Sequence, residues 1–357
     1  MRSGAESIFL KTIYIAITEK IYYNYLNQTG GKKCSVINIK KLPLLLALCV
    51  FIGAVLPSCS KSGGELYPLT VNGIKIDGEL FCYYMSVARS EGAAAAAECV
   101  DKATEKCVQY IAAEQAFNEA GLSITKSEEA ENAADVNALW NLFGEYYSSI
   151  GVSRSTCVRA KLSERRIEKL RQYYFGEGGS DEISEEELRG CLGSYFAAFK
   201  GIELPLTGTD SSGSETELSE EEKQSVIKTA ETAAKEINNG KALDTVLLEL
   251  AGSAAAVTAA LETRVIKEQS SYGQAFYASL TEIEEGSAGI IQTEDSVWLC
   301  YRVKILSDST IYEKYKDECL QILSDTPLIS KINELANSYT GIRNSDAVAK
   351  CKKIMGY

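Results

Sequence analysis

The stretch from Lys40 to Cys59, KKLPLLLALCVFIGAVLPSC, constrains this chain most, because it decides which residues belong to the folded protein. Two lysines precede an uncharged run, Leu42–Pro57, which ends just before Ser58. A positive segment, an apolar segment and a small residue before the cleavage point form the layout of a secretory signal. We therefore expect residues 1–58 to be a leader and the fold to lie after it.

Cys59 stands directly after the expected cleavage point, and this position resembles the lipobox of bacterial lipoproteins. The resemblance implies that Cys59 is lipidated and that the chain is anchored on the extracytoplasmic face of the bacterial cell membrane. Residues 59–68, which include several Ser and Gly, are then a tether. A transmembrane anchor and a signal cut elsewhere are the alternatives. A spanning helix needs about 20 apolar residues, whereas this run is shorter and contains Pro43 and Pro57.

Residues 1–35 lie upstream of the positive segment, whereas a signal peptide begins within a few residues of the start. One hypothesis is a translation start near Val36, with residues 1–35 not translated. The segment Gly30–Lys33 has the amino-acid sequence that a purine-rich ribosome-binding site would encode if it were translated. The alternative is a genuine, poorly structured extension.

The charge balance excludes one class of partner. Residues 1–58 hold seven of the 37 Lys and Arg and two of the 49 Asp and Glu, so 30 basic and 47 acidic residues follow, a net charge of −17. Such an acidic chain repels nucleic acid and anionic lipid headgroups, and favours basic or unfolded partners. We expect no nucleic-acid binding.

Histidine is absent, which excludes histidine-based catalytic triads and histidine-containing metal sites. Eight of the 11 cysteines follow Cys59, and none of them forms a C-x-x-C pair, so neither a metal nor a cofactor is expected. An even number of cysteines also permits disulfides, although spacing cannot choose the pairs. Cys82, Cys300 and Cys319 lie within apolar patterns, which favours free buried thiols.

The chain from residue 69 predicts a helical domain that begins with one hairpin. Asn72-Gly73 lies between short apolar runs, a strong hairpin signal. Asp77 is expected to cap a helix that the alanine-rich run 93–97 extends. Further helices are expected from Ser127 and, with a capping box, from Ser184. Together these elements define an N-terminal domain at 69–193.

The pattern changes after residue 193. A strand is expected at 199–206, a polar loop at 207–217, and a second capping box begins a helix at Ser219. The order β-α-α-α-β-β predicts an inserted domain at 194–307. Helices at 308–357 are expected to pack back on the N-terminal domain. The predicted fold class is therefore α+β, mostly helical, with an inserted α+β domain.

The hairpin and first helix, VNGIKIDGELFCYYM, resemble the opening of SurA/PrsA-type foldases. The order of a helical domain, a capping-box helix, an insert and C-terminal helices is also similar to that family. The insert resembles a parvulin, a peptidyl-prolyl isomerase domain, in its Asn239-Gly240 stop and in the face formed by Phe276, Leu280, Ile283 and Gly286. The resemblance covers nearly all of residues 69–357.

The isomerase histidines of that family are missing. Gly201 stands where the first strand of a parvulin carries histidine, and the last strand, Val297–Arg302, has none either. The glycine-rich segment in the middle of the domain is replaced by Ala251–Leu261. The resemblance therefore implies a scaffold that binds peptide but lacks the preorganised polar groups of an active isomerase.

The resemblance makes Phe276, Leu280 and Ile283 candidates for a peptide-facing groove, although apolar residues at this helical spacing are more often core. Cys300 could match a pocket thiol or be a buried structural cysteine. The expected function is that of a membrane-anchored chaperone or foldase that holds unfolded or nascent exported polypeptides. The alternatives are an active parvulin-type isomerase and, more remotely, a structural or ligand-binding lipoprotein.

Overall fold

The computed structural model describes residues 66–209, 215–251 and 253–357. The leader 1–58, Cys59 and most of the expected tether lie outside the described residues. The chain divides into two compact units. Unit 1 contains the described residues up to Leu170 together with Ile329–Tyr357, and unit 2 is Arg171–Leu328. Unit 2 is longer at both ends than the insert expected at 194–307.

The described residues contain eleven α-helices, one short 3₁₀ helix (Ile305–Ser307) and nine strands. The helices are α1 (Gly78–Ser90), α2 (Ala96–Glu119), α3 (Lys126–Ser149), α4 (Arg154–Phe175), α5 (Glu185–Tyr195), α6 (Glu220–Asn238), α7 (Leu243–Ala251), α8 (Ala254–Leu261), α9 (Gln274–Glu282), α10 (Ser309–Asn337) and α11 (Ser345–Ile354). The strands are β1 (Leu69–Val71), β2 (Ile74–Ile76), β3 (Phe196–Pro205), β4 (Thr207–Thr209), β5 (Glu215–Glu217), β6 (Arg264–Lys267), β7 (Ala288–Gln292), β8 (Ser296–Val303) and β9 (Gly341–Arg343). The predicted α+β fold class is confirmed.

Unit 1 opens with the predicted hairpin. Asn72 and Gly73 have φ angles of 47° and 83°, the left-handed geometry that a two-residue hairpin turn requires. Asp77 then caps α1 by accepting a hydrogen bond of 2.9 Å from the Leu80 backbone N–H. Strand β9 adds to the free edge of β1 in antiparallel register, Thr70 opposite Ile342. The C-terminal strand was not predicted, because its three residues are all exposed and show no alternation.

Helix boundaries follow the capping residues. The capping boxes at Ser184 and Ser219 are both present, as predicted. The expected start at Ser127 is wrong, because Thr125 forms a capping box with Glu128 and begins α3 earlier. The expectation that residues 93–97 extend the first helix is also wrong: α1 ends at Ser90, and the positive φ of 93° at Gly92 separates it from α2.

Unit 2 is built on a four-stranded antiparallel sheet with the strand order β6-β3-β8-β7. The longest ladder joins β3 to β8, from Ala198 opposite Val303 to Pro205 opposite Ser296. Strand β6 differs from the sequence-based expectation, which has only helices between α6 and the last strands. A small hairpin, β4-β5, stands where a loop was expected at 207–217.

The two faces of this sheet pack against different elements, since successive side chains of a strand point to opposite sides. The aliphatic face, which includes Ile202, Ile290 and Leu299, packs against α6, α7 and α8. Its far end, at Ala198 and Val303, packs against α5 and α10. The opposite side, called the aromatic face here, is covered by α9 and carries Ala197, Phe199, Ile266, Ile291, Trp298 and Cys300.

Candidate functional site

Four rings form an aromatic cluster on the aromatic face: Phe199, Tyr272, Phe276 and Trp298. All six pairs of ring centroids lie between 4.9 and 6.1 Å apart, most of them edge to face. Such pairs add to the stability that burial of the rings gives. Phe199 and Phe276 are buried, whereas Tyr272 and Trp298 are half-buried. Solvent therefore reaches two large aromatic side chains at the rim of a preformed apolar cluster.

The cluster is positioned by the ends of α9. Gly273, with a φ of 82°, precedes the helix and allows the chain to turn between Tyr272 and the first helical residue. At the other end, Arg302 on β8 donates hydrogen bonds of 2.6 Å to the carbonyl oxygens of Thr281 and Ile283. These bonds satisfy carbonyls that the end of a helix leaves unpaired. The helix that carries Phe276 is thus tied to the sheet beneath it.

Arg264 on β6 brings a positive charge to the rim of the cluster. Its guanidinium carbon lies 5.6 Å from the Phe199 ring centroid and 5.7 Å from that of Trp298, within the range of a cation–π contact. It donates hydrogen bonds to the carbonyl oxygens of Gly201 (2.9 Å) and Ala259 (3.0 Å). Within the described part of the chain, no carboxylate forms an ion pair with Arg264.

Gly201 lies on the aromatic face opposite Cys300, where β3 and β8 approach closely. A Cβ atom at this position would lie 2.1 Å from the carbonyl oxygen of Leu299. That distance is far shorter than any van der Waals contact, and the clashing atom is backbone. No side chain fits at position 201 unless the ladder moves.

Cys300 is buried beside Phe199 in the middle of the same face. Burial raises the pKa of its thiol to about 12, against a smaller opposing effect of the Arg264 charge. The thiol is therefore protonated at physiological pH and is a poor nucleophile. The chemistry open to the aromatic cluster is therefore non-covalent: apolar and aromatic groups can pack on its rim.

The three predicted peptide-binding residues belong to one cluster: Phe276 and Leu280 lie on α9, and Ile283 follows its last residue. Phe276 and Leu280 are 5% and 0% exposed, and the half-buried Ile283 fills the space above Gly289, where a Cβ would lie 2.8 Å from its side chain. The first two are therefore core residues of the aromatic face, and a direct contact with peptide stays a prediction for all three. The predicted lipidation of Cys59 lies outside the described residues.

Four residues of the site were not singled out from the sequence. The alternation in β3 could have placed Phe199 on the inner side of a strand, and Trp298 was noted only as part of the last strand. Tyr272 and Arg264 gave no signal, because the first lies in a turn and the second on a strand that the sequence analysis did not recognise. Their proximity depends on sheet register.

Among residues 66–209, 215–251 and 253–357, no helix is both long enough and apolar enough to cross a membrane. No group of three or more Cys, Asp or Glu side chains in the same residues is arranged to hold a metal ion.

Comparison with known proteins gives likeness in structure only. No protein-family model matches the chain, and no curated protein sequence matches it. The chain is similar to the foldase protein PrsA from Streptococcus pneumoniae, with 12% identity over 71% of this chain and 85% of that chain and a TM-score of 0.34. It is also similar to PrsA from Bacillus subtilis (11%, 82% and 92%, TM-score 0.27) and to PrsA from Lactococcus lactis (14%, 80% and 98%, TM-score 0.38). All three belong to the family that the sequence resembles.

Proposed function

We propose that this protein is a lipid-anchored, extracytoplasmic chaperone of the foldase type, which holds unfolded exported polypeptides without isomerising their prolyl bonds. The single observation that carries the proposal is the aromatic cluster of unit 2, a preformed apolar site with a solvent-accessible rim. Tyr, Trp and Arg, the residue types at this rim, are enriched in the surfaces through which proteins bind other polypeptides. Unfolded chains expose the aromatic and aliphatic side chains that such a rim binds.

The side chains at the rim of the aromatic cluster would orient a bound chain. Trp298 and Tyr272 present apolar surface, and Arg264 places a cation beside them. An extended segment would pack its apolar side chains on the two rings and place a carbonyl or carboxylate oxygen near the guanidinium. Binding of this kind needs no covalent chemistry and is compatible with many sequences.

The same residues argue against efficient isomerase catalysis. An isomerase must lower a rotational barrier of about 18–20 kcal/mol by binding the twisted amide better than the planar one. The chain has no histidine, and the position that the resemblance assigns to one is Gly201, where the backbone leaves no room for a side chain. The neutral thiol of Cys300 supplies neither a base nor an anion.

The membrane anchor rests on the segment that ends at Cys59. Metabolic labelling with a fatty-acid analogue should mark the parent protein and should be abolished in Cys59→Ser. Labelling of the Cys59→Ser protein would show that the lipid is attached elsewhere.

The proposed activity is tested by two assays on the full-length chain. In the first, the protein is added to a client that aggregates on dilution from denaturant. In the second, it is added in substoichiometric amounts to a protein whose refolding is limited by prolyl isomerisation, a step of tens to hundreds of seconds. We expect suppressed aggregation and an unchanged refolding rate.

Variants connect the result to the aromatic cluster. Trp298→Ala should lose most of the suppression, whereas Leu248→Ala, which removes a 54% exposed leucine elsewhere in unit 2, should keep it. Faster prolyl-limited refolding would mean an active isomerase. An absence of both effects would mean a structural or ligand-binding protein, and either outcome would overturn the proposal.

A further inference from the structure

Two arginines flank Phe199 on the aromatic face of unit 2. Arg264 on β6 stands opposite Phe199 in one ladder, and Arg302 on β8 stands opposite it in the other. Residues that stand opposite each other in a ladder point to the same face of the sheet. The sheet therefore places one guanidinium on each side of the same ring, and the two guanidinium groups have different surroundings.

The charge of Arg302 is compensated within unit 2. Arg302 donates hydrogen bonds of 2.6 Å to the carbonyl oxygens of Thr281 and Ile283, and its guanidinium lies 3.8 Å from the Glu285 carboxylate. Its side chain is 18% exposed. The contacts of Arg302 thus hold the end of α9 on the sheet and leave little of its charge for a ligand.

The charge of Arg264 is not compensated by a carboxylate. Its hydrogen bonds to the carbonyl oxygens of Gly201 (2.9 Å) and Ala259 (3.0 Å) use two of the five N–H groups of a guanidinium. Among the residues that the structure describes, no Asp or Glu forms an ion pair with it. The side chain is half-buried and lies against the rings of Phe199 and Trp298. The rim of the aromatic cluster therefore carries a cation with hydrogen-bond donors left for an anion.

A carboxylate is the anion that an unfolded polypeptide can offer to this cation. A guanidinium binds a carboxylate by paired, charge-assisted hydrogen bonds, which are stronger than hydrogen bonds between neutral groups. The net charge of the protein opposes such a partner, because the chain has 49 Asp and Glu against 37 Lys and Arg. A preference for acidic segments would therefore have to come from Arg264 itself and not from the overall field.

The distance between ring and cation indicates how an acidic segment would lie. The guanidinium carbon of Arg264 is 5.7 Å from the centre of the Trp298 ring. In an extended chain, side chains two residues apart point to the same side and are separated by about 6.6 Å. An aromatic side chain packed on Trp298 thus brings its second neighbour, in one chain direction or the other, near the guanidinium. Its first neighbours point to the opposite side.

We propose that the aromatic cluster selects client segments in which an acidic residue stands two positions from an aromatic one, and that Arg264 binds the acidic side chain. This inference rests on the proposed function, because it names the substrate class of the same holding site. The aromatic ring of the client packs on Trp298 and Tyr272, and its carboxylate accepts hydrogen bonds from the Arg264 guanidinium.

The test uses the full-length chain and short labelled peptides with one central Phe, whose dissociation constants are measured by fluorescence anisotropy. The first peptide carries Asp at both second neighbours of the Phe, and the second carries the same Asp residues at both first neighbours. The third carries Lys at both second neighbours. The first two peptides have equal composition and net charge. We expect the first peptide to bind about fivefold more tightly than the second, and more tightly than the third.

Two variants that each remove one positive charge locate the preference. Arg264→Gln should bind the first and second peptides equally. Lys228→Gln, which removes an exposed cation from α6 on the aliphatic side of the sheet, should keep the preference. The three peptides on the wild-type protein decide the proposal even where Arg264→Gln folds poorly.

The outcomes separate this inference from the proposed function. Equal affinity for the three peptides, or tightest binding of the Lys peptide, would overturn the selection by Arg264 and leave the holding site in place. A preference that persists in folded Arg264→Gln would do the same. An absence of binding to any peptide would overturn the inference and, together with a failure to suppress client aggregation, the proposed function as well.

Discussion

The two faces of the sheet in unit 2 are made by the same strands but are covered differently. The aliphatic face is closed by α6, α7 and α8, and Leu299 at its centre is 0% exposed. The aromatic face is covered by α9, nine residues long, and leaves Trp298 and Tyr272 half-buried. Neighbouring residues of one strand, Trp298 and Leu299, therefore belong to different environments. The comparison separates residues that stabilise unit 2 from residues that are available to a ligand.

The largest effect on the free energy of unfolding is expected at Gly201, where β3 pairs with β8 at the centre of the aromatic face. Gly201→Ala should destabilise the protein by about 3 kcal/mol or more, because the new Cβ would overlap the Leu299 carbonyl oxygen. Gly190→Ala is the matched control, since Gly190 lies on α5 with open space around it, and it should be neutral or slightly stabilising. Urea unfolding of both variants measures the difference. Equal stability of the two variants would show that the ladder yields easily and that a histidine could stand at position 201.

The next largest effects compare one residue from each face, by the stability and by the suppression of aggregation that each variant loses. Leu299→Ala should cost about 3 kcal/mol, because it leaves a cavity in the closed aliphatic face. Under conditions in which the Leu299→Ala variant is still folded, it should suppress client aggregation as well as the wild type does. Trp298→Ala should cost less stability but reduce suppression several-fold. If Leu299→Ala impaired suppression as strongly as Trp298→Ala, the two faces would not differ in function.

These contrasts also show how far the sequence alone could go. The Asn72-Gly73 hairpin and the caps at Asp77, Ser184 and Ser219 were predictable, because turn and cap chemistry is local. The aromatic cluster was not, because its four rings come from β3, a turn, α9 and β8. The rings contact one another only because β3 pairs with β8, and this pairing is a long-range interaction that local sequence does not determine. Phe276 was recognised through the family resemblance, but its burial could not be read from helical spacing.

A smaller effect is expected on the pH dependence of the free energy of unfolding, to which the Cys300 thiol contributes. The ordinary pKa of a cysteine thiol is 9.0, and burial raises that of Cys300 to about 12. In the unfolded chain the thiol ionises first, so the stability contributed by the neutral buried thiol is present below pH 9 and is lost between about pH 9 and 12. Cys300→Ala should therefore lose less stability than the wild type between pH 8 and 10, measured by urea midpoints. Parallel declines would place the thiol outside the buried face.

Suppression of aggregation should be insensitive to the same titration below pH 9, since the Cys300 thiol is neutral there in the folded protein. A rise in suppression that follows ionisation of Cys300 would give the thiol an active part in binding.

The smallest effect is expected at the start of α6, which covers the aliphatic face. Ser219→Ala removes the hydroxyl that accepts a hydrogen bond of 3.3 Å from the Glu222 backbone N–H. The loss of such a cap costs about 1 kcal/mol. Suppression of aggregation should not change, because the helix lies on the closed side of the sheet. A change in suppression without a change in stability would contradict the division between the faces.

The most direct measurement uses the small number of tryptophans. The chain has two, Trp140 and Trp298, so the Trp140→Phe variant reports on the aromatic cluster alone. Addition of a permanently unfolded client, such as a reduced and carboxymethylated protein, should shift the Trp298 emission to shorter wavelength in a saturable way, as bound chain displaces water from the rim. Suppression of aggregation by this variant with no change in Trp298 emission would contradict the central claim that the aromatic cluster holds the client.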